Sequence, residues 1–339
     1  MKKIILTILA IVLCFSLFAC QKQDEDKQNQ DSVVNKEPET VISDDFKEGT
    51  NIKLAALKGP TSIGLLKLIK DESTAVNYTL AGVADEITAP FIKGEYDIVA
   101  VPCNLASVLY NKTQGNVNVL AVNTLGVLYL LDTENQITSI NDLEGKTVYS
   151  TGKGTTPEYV FNYILDKNGL LGKVDVQFVS EATELASLLS QKKASLAILP
   201  QPYASSVLTQ NEDAKIALSL TDEWKKVSGK TEMITGVIIA KKDYVSANKD
   251  TVDTFLKKYD KSIAFVNENV SETADYCVEY GIIAKKPLAE KAIPYCNVKF
   301  IAGEDMKEAV SAYLKVLYDQ NPAAVGNTLP GDDFYYLAK

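Results

Sequence analysis

The loop Gly154-Thr155-Thr156-Pro157-Glu158 brings turn residues, two hydroxyls and a carboxylate to what reads as the start of a helix. Thr155 with Glu158 three residues on makes a capping box, and Pro157 suits a first helical turn. The free amides and positive dipole end of such a start hold an anion or polar group without any cationic side chain. Lys153 adds a formal charge beside it. The same residues serve equally well as a plain helix cap, with Glu158 using part of the positive end. This is not a nucleotide phosphate loop, because no Gly-Lys-Ser/Thr follows at the required spacing. Gly59-Pro60-Thr61-Ser62 offers similar chemistry earlier in the chain. Pro102-Cys103-Asn104 and Asn123-Thr124 add amide and hydroxyl partners, although Asn and Pro serve turns more often than ligands. Gln201 and Tyr203 follow Pro200 in the same manner.

Other chemistries are closed off by composition. The 339 residues contain no histidine and no arginine, so lysine is the only basic side chain. A Ser-His-Asp triad, a histidine-bearing metal site and guanidinium clamps are therefore excluded. No metal site and no cofactor are expected. The net charge of −9 argues against nucleic acid, which needs a basic face to displace counterions. Cys103 has no histidine to activate it and reads as a small buried residue. Among the 17 tyrosines a few at a cleft would sandwich a flat or apolar ligand. The single tryptophan, Trp224, falls on a stretch predicted to be surface and is given no role.

The elements that must position these loops repeat. In the first unit, Asn51–Leu57 reads as a strand and the apolar spacing of Ile63–Ile69 as a helix. Ile98–Val101 is a further strand, the turn Pro102-Cys103-Asn104 follows, and Leu105–Leu109 begins the next helix. In the second unit, Lys146–Ser150 is a strand, Tyr159–Leu165 a helix, Val174–Val179 a strand, Thr183–Gln191 a helix and Leu196–Leu199 a strand. Its closing turn, Pro200-Gln201-Pro202-Tyr203, runs into Ala204–Leu208. Gly59 stands 43 positions before Pro102, and Gly154 stands 46 before Pro200. Like parts at like separations predict two similar α/β lobes with mostly parallel sheets. Ligands collect at the carboxyl ends of such strands, where these loops must lie. Val117–Leu131 would carry the chain out of the first lobe and Met233–Ala240 would bring it back, which makes the two crossings a hinge. Helices near Thr251–Asn267, Glu272–Tyr280 and Met306–Tyr318 would pack on the first lobe.

Ahead of the body, Met1-Lys2-Lys3 and the apolar run Ile4–Ala19 form a secretory signal. Its closing Leu17-Phe18-Ala19-Cys20 resembles a bacterial lipobox, in which the cysteine is acylated; Phe18 departs slightly from the usual choice. An uncleaved anchor or an ordinary signal is the alternative. Acyl chains on Cys20 would hold the protein to a membrane. Gln21–Glu48 is too polar to offset its own ordering entropy and is expected to be a disordered tether. The expected organisation is a signal peptide over 1–19 and an acylated cysteine with tether over 20–48. The first lobe then takes 49–125 and 235–339, and the second 126–234. Outside the cytosol a bridge between Cys277 and Cys296 stands open as one state and free thiols as the other, with Cys103 left over.

Lipobox, tether, duplicated lobes and loop positions together resemble the solute-binding lipoproteins of ABC importers. The body is similar to the nitrate, sulfonate, taurine and thiamine-precursor group of type II periplasmic binding proteins. The resemblance runs from about Ile52 to Phe334. It is carried by Leu57-Lys58-Gly59-Pro60-Thr61, Gly94–Pro102, Asn123-Thr124-Leu125-Gly126-Val127, Ser150–Tyr159, Leu199–Tyr203 and Thr235-Gly236-Val237. It implies a monomeric receptor, held to the cell membrane and facing outward. That receptor would close on a small organic solute and deliver it to an ABC permease and its ATPase. The residues matching the family's cleft loops are Pro60, Thr61, Ser62, Asn104, Asn123, Thr124, Gly154, Thr155, Thr156, Gln201 and Tyr203. Members that take sulfonate or nitrate often use a basic side chain, and only Lys58 or Lys153 stands ready for that here. This tilts the expectation slightly toward recognition by amides and hydroxyls or toward a neutral ligand, a heteroaromatic one among the choices. The alternative is a fold-related enzyme of thiamine or menaquinone biosynthesis, against which the export signal and the lack of histidine both count; a surface adhesin or sensor is a third reading.

Overall fold

The computed structural model describes residues 43–229 and 231–337. The signal sequence, Cys20 and most of the tether lie outside the described residues. Along the first part of the body run β1 (Ile52–Leu57), α1 (Pro60–Ile63), α2 (Leu66–Asp71), β2 (Val76–Ala81), α3 (Asp85–Lys93), β3 (Ile98–Pro102), α4 (Cys103–Lys112) and β4 (Asn118–Leu125). Then come β5 (Leu128–Asp132), β6 (Thr147–Ser150), α5 (Thr156–Lys167), β7 (Asp175–Phe178), α6 (Ala182–Ser190), β8 (Leu196–Pro200), α7 (Tyr203–Gln210), β9 (Lys215–Ser219) and α8 (Leu220–Ser228). The chain closes with β10 (Ile234–Ala240), α9 (Lys242–Ala247), α10 (Lys249–Glu268), α11 (Val270–Glu279), α12 (Lys286–Ala292), β11 (Val298–Ile301) and α13 (Gly303–Gln320).

The strands form a six-stranded sheet in the order β11-β4-β10-β3-β1-β2 and a five-stranded sheet in the order β7-β6-β8-β5-β9. Within each, β1 with β2 and β3, and β6 with β7 and β8, are parallel. The sheets are nevertheless mixed rather than mostly parallel. β10 runs against β3 and β4, β11 against β4, and β5 against β8 and β9. For β5 and β10 the reason is topological: a strand entering its sheet from the other lobe starts at the end where the native strands finish. The long apolar run expected as the first crossing is two strands, β4 and β5, separated only by Gly126 and Val127.

Gly126 is needed there. A Cβ on it would collide with the Met233 methyl on the returning chain and with the Thr221 hydroxyl of α8. The residues before β11 clasp the same crossing. Leu125 N donates to Asn297 O (3.0 Å), Asn297 Nδ2 donates to Gly126 O, and Tyr129 OH donates to Tyr295 O (2.7 Å).

Trp224 is fully buried, not on the surface as its neighbours in sequence suggested. The polar run Asp222-Glu223 and Lys225-Lys226 hides a helix, α8, which buries Leu220 and Trp224 together with Thr221 and Glu223. Trp224 packs between Tyr163 of α5 (centroids 4.6 Å apart) and Tyr313 of α13 (5.7 Å), and its indole N–H donates to Thr231 O. So the C-terminal part of the chain touches the second sheet's helices as well as the first's. Residues 43–48, inside the stretch expected as tether, are held along α10. Asp44 pairs with Lys257 and Lys261, Asp45 with Lys258, Lys47 with Asp250, and Lys258 lies over the Phe46 ring.

Candidate functional site

Strand register brings the tips of both sheets to the crossing at Gly126-Val127. In the first sheet Gly236 is opposite both Pro102 and Thr124. In the second, Leu128 is opposite Pro200 and Tyr129 opposite Ser219. Gln201 N donates to Val127 O (3.1 Å), which pins the turn after β8 to the crossing.

On the first-sheet side, Pro60, Thr61 and Ser62 open α1 after Gly59, whose φ of 131° only glycine adopts without strain. The hydroxyls there are already engaged: Thr61 donates to Leu57 O (3.2 Å) and Ser62 to Gly59 O (2.8 Å). Asn123 Nδ2 donates to Thr61 O (3.0 Å), so these two members of the set meet directly. The Asn123 Oδ1 and Thr124 Oγ1 atoms are buried without a hydrogen-bond partner. Close packing explains the crowding, since a Cβ on Gly236 would lie 2.5 Å from both Asn123 Oδ1 and Thr61 Cγ2. Asn104 is turned elsewhere: its side chain donates to Ala324 O (3.2 Å), in the 3-10 turn Pro322–Val325.

On the second-sheet side the expected capping box is not made. Glu158 accepts from Gly154 N, one residue earlier than a box requires, and Thr155 Oγ1 donates to Gly152 O (2.6 Å) rather than capping α5. The hydroxyl is drawn to the carbonyl because Gly152, at φ 75°, turns the loop back on itself. Thr155, Gly154 and Lys153 are exposed, and Lys153 lies over the Phe178 ring at 5.9 Å. Gln201 is buried; its Oε1 accepts from Ser205 N, while its Nε2 and the Ser205 hydroxyl have no partner. Tyr203, half-buried, opens α7. Buried unpartnered groups at strand tips are costly, about 1–3 kcal/mol each, unless something occupies them.

Several residues here gave no sequence signal. Tyr159 OH donates to Gly154 O (2.9 Å) and accepts from Asn321 Nδ2 (2.7 Å), which links the loop before α5 to the C-terminal region. Tyr313, fully buried in α13, turns its hydroxyl toward Thr156 at the first turn of α5. The capping-box pattern marked the loop but not these tyrosines, which sit in ordinary amphipathic helices. Cys103 lies at the start of α4 and is buried; that burial pushes its thiol up, so it is held protonated and is no nucleophile. Cys277 and Cys296 are buried and unbridged.

Residues 115–273 match the family described as NMT1/THI5 like. No curated protein matches the chain. Among solved structures, an ABC transporter protein from Parabacteroides distasonis superposes with a TM-score of 0.74 at 24% identity, covering 86% of this chain and 100% of that one. The periplasmic aliphatic sulphonate binding protein SsuA from Escherichia coli gives 0.69 at 13% identity, over 85% and 92%. The periplasmic nitrate-binding protein NrtA from Synechocystis gives 0.57 at 11% identity, over 81% and 82%. The body therefore has the type II periplasmic binding protein fold, and the segment 115–273, which holds both crossings and the whole second sheet, is NMT1/THI5-like.

Proposed function

We propose that this protein is the solute-binding component of an ABC importer, which captures a small organic molecule between its two lobes and hands it to the permease. One observation carries the reading most of the way. The tips of two separate sheets meet at a two-residue crossing, and the groups gathered there are amides and hydroxyls, several of them buried without partners. A solute touching both sets of tips stabilises the shut arrangement over the open one, which is how such a receptor signals occupancy. The proposed solute set is Pro60, Thr61, Ser62, Asn123 and Thr124 on one side and Gly154, Thr155, Thr156, Gln201 and Tyr203 on the other, without Asn104, whose side chain is held by Ala324 O. In this account the first lobe takes 49–125 and 235–339 and the second takes 126–234. Binding, not turnover, is the role: the chain has no histidine, and Cys103, just after β3, is kept protonated.

The solute is neutral and polar or heteroaromatic in this account. Lys153, the cation nearest the α5 start in sequence, lies over the Phe178 face, and the unpartnered groups at the tips, on Asn123, Thr124, Gln201 and Ser205, are uncharged. The body works outside the cytoplasm as a monomer, tethered through acylated Cys20. Native mass spectrometry of freshly purified protein tests the reading. A small molecule released on denaturation, and lost in the folded Thr155→Trp variant, supports it. Conversion of that molecule to product by the protein would replace the receptor with an enzyme.

A further inference from the structure

The crossing between the lobes is clasped by a short stretch that contains a buried cysteine. Tyr295 O accepts from Tyr129 OH, and Asn297 bonds Leu125 and Gly126 through its carbonyl and side-chain amide. Between them sits Cys296, fully buried, whose Sγ donates to Ala292 O at 3.3 Å. Cys277, also fully buried, lies in α11, which packs on α12 and on the 3-10 turn Ile293–Tyr295 leading into Cys296. Both thiols belong to one apolar cluster, close enough that a charge on Cys277 would push the Cys296 thiol up further, whereas Cys103 lies in a different cluster at the start of α4.

We propose that Cys277 and Cys296 form a disulfide in the exported protein, and that this bond stiffens the Tyr295–Asn297 clasp on the Leu125–Tyr129 crossing. The bond ties the clasp to α11, an element that makes no part of the crossing itself. The chemistry balances with a disulfide-bearing oxidant, either a thiol–disulfide oxidoreductase or glutathione disulfide. One cysteine thiolate attacks the oxidant's sulfur, the second attacks the resulting mixed disulfide, and the oxidant leaves as two thiols carrying the two electrons and two protons. Burial pushes the Cys277 thiol up to about 12 and raises Cys296 as well, so thiolate is scarce once the protein is folded. The exchange therefore takes place while the chain folds, and the finished bond is shielded from reductants. The free-thiol structure is then the reduced form of the same fold. This inference is independent of the solute.

Full-length protein refolded in a glutathione and glutathione-disulfide buffer is alkylated, digested without reduction and mapped by mass spectrometry. The expected result is a cross-linked peptide pair joining Cys277 to Cys296, absent from the Cys277→Ser variant, with Cys103 alkylated. Amide exchange at 125–129 is then expected to be severalfold slower in the oxidised protein than after reduction. Alkylation of both Cys277 and Cys296 overturns the proposal, as does a cross-link through Cys103. A bond that forms but leaves exchange at the crossing unchanged overturns the stiffening.

Discussion

Gly236 shows how much of the site is a matter of single atoms. A Cβ there would collide with Asn123 Oδ1 and Thr61 Cγ2, each 2.5 Å away. Gly236→Ala is expected to cost about 1–3 kcal/mol by forcing those side chains aside, read as a lower urea midpoint, and to weaken solute binding further. Asn123→Leu removes the bond to Thr61 O and leaves that carbonyl unpaired; a loss of about 1–3 kcal/mol is expected in the same measurement. At this scale the sequence was a partial guide. Asn123 and Thr61 were singled out separately from turn-like motifs, and the structure joins them by a hydrogen bond. Asn104 was singled out on the same grounds yet turns to Ala324, because nothing local in Pro102-Cys103-Asn104 encodes a partner more than 200 positions away. Thr155 was read as a cap from spacing alone, but the left-handed Gly152 gives its hydroxyl a nearer carbonyl.

Among the elements, most helices and the short strands β3, β6, β7 and β8 were legible, while a few elements were not. The helix expected near Thr251–Asn267 is α10, and the strand expected at Ile98–Val101 is β3. β9 and β11, with five and four residues, carry too little alternation to stand out. α8 was missed because its charges outnumber its apolar residues, and with it went the placement of Trp224. That residue joins α5, α8 and α13 through two ring contacts and an indole hydrogen bond. Trp224→Ala is expected to cost about 3–5 kcal/mol, seen as a large fall in the thermal midpoint, whereas Trp224→Phe should lose much less. Since it is the only tryptophan, its emission reports this junction alone; a blue-shifted spectrum that moves red on unfolding is expected.

For the whole molecule, the resemblance to type II binding proteins foresaw two α/β lobes, while the antiparallel entry of β5 and β10 required the three-dimensional path. The acid response also belongs here. Asp44, Asp213 and Asp250 are held below the usual carboxylate value by lysine partners, Asp333 by Lys242 and Tyr110, and Asp142 by donors from Thr138 and Ser139. A folded value below the unfolded one adds stability above the unfolded pKa and loses it as pH falls through the folded value. The thermal midpoint should thus hold from neutral pH to about pH 4 and fall below it. Added salt should shrink the lysine-paired share first.

The central claim is that one solute engages both sets of tips. Its most direct test is hydrogen exchange on the full chain, with and without a compound from a small-molecule panel that raises the thermal midpoint. The account predicts slowed exchange in 59–62 and 123–124 together with 152–156 and 201–203. Protection confined to one sheet's tips, or a panel of sulfonates, nitrate and neutral heteroaromatics in which nothing raises the midpoint, would contradict it.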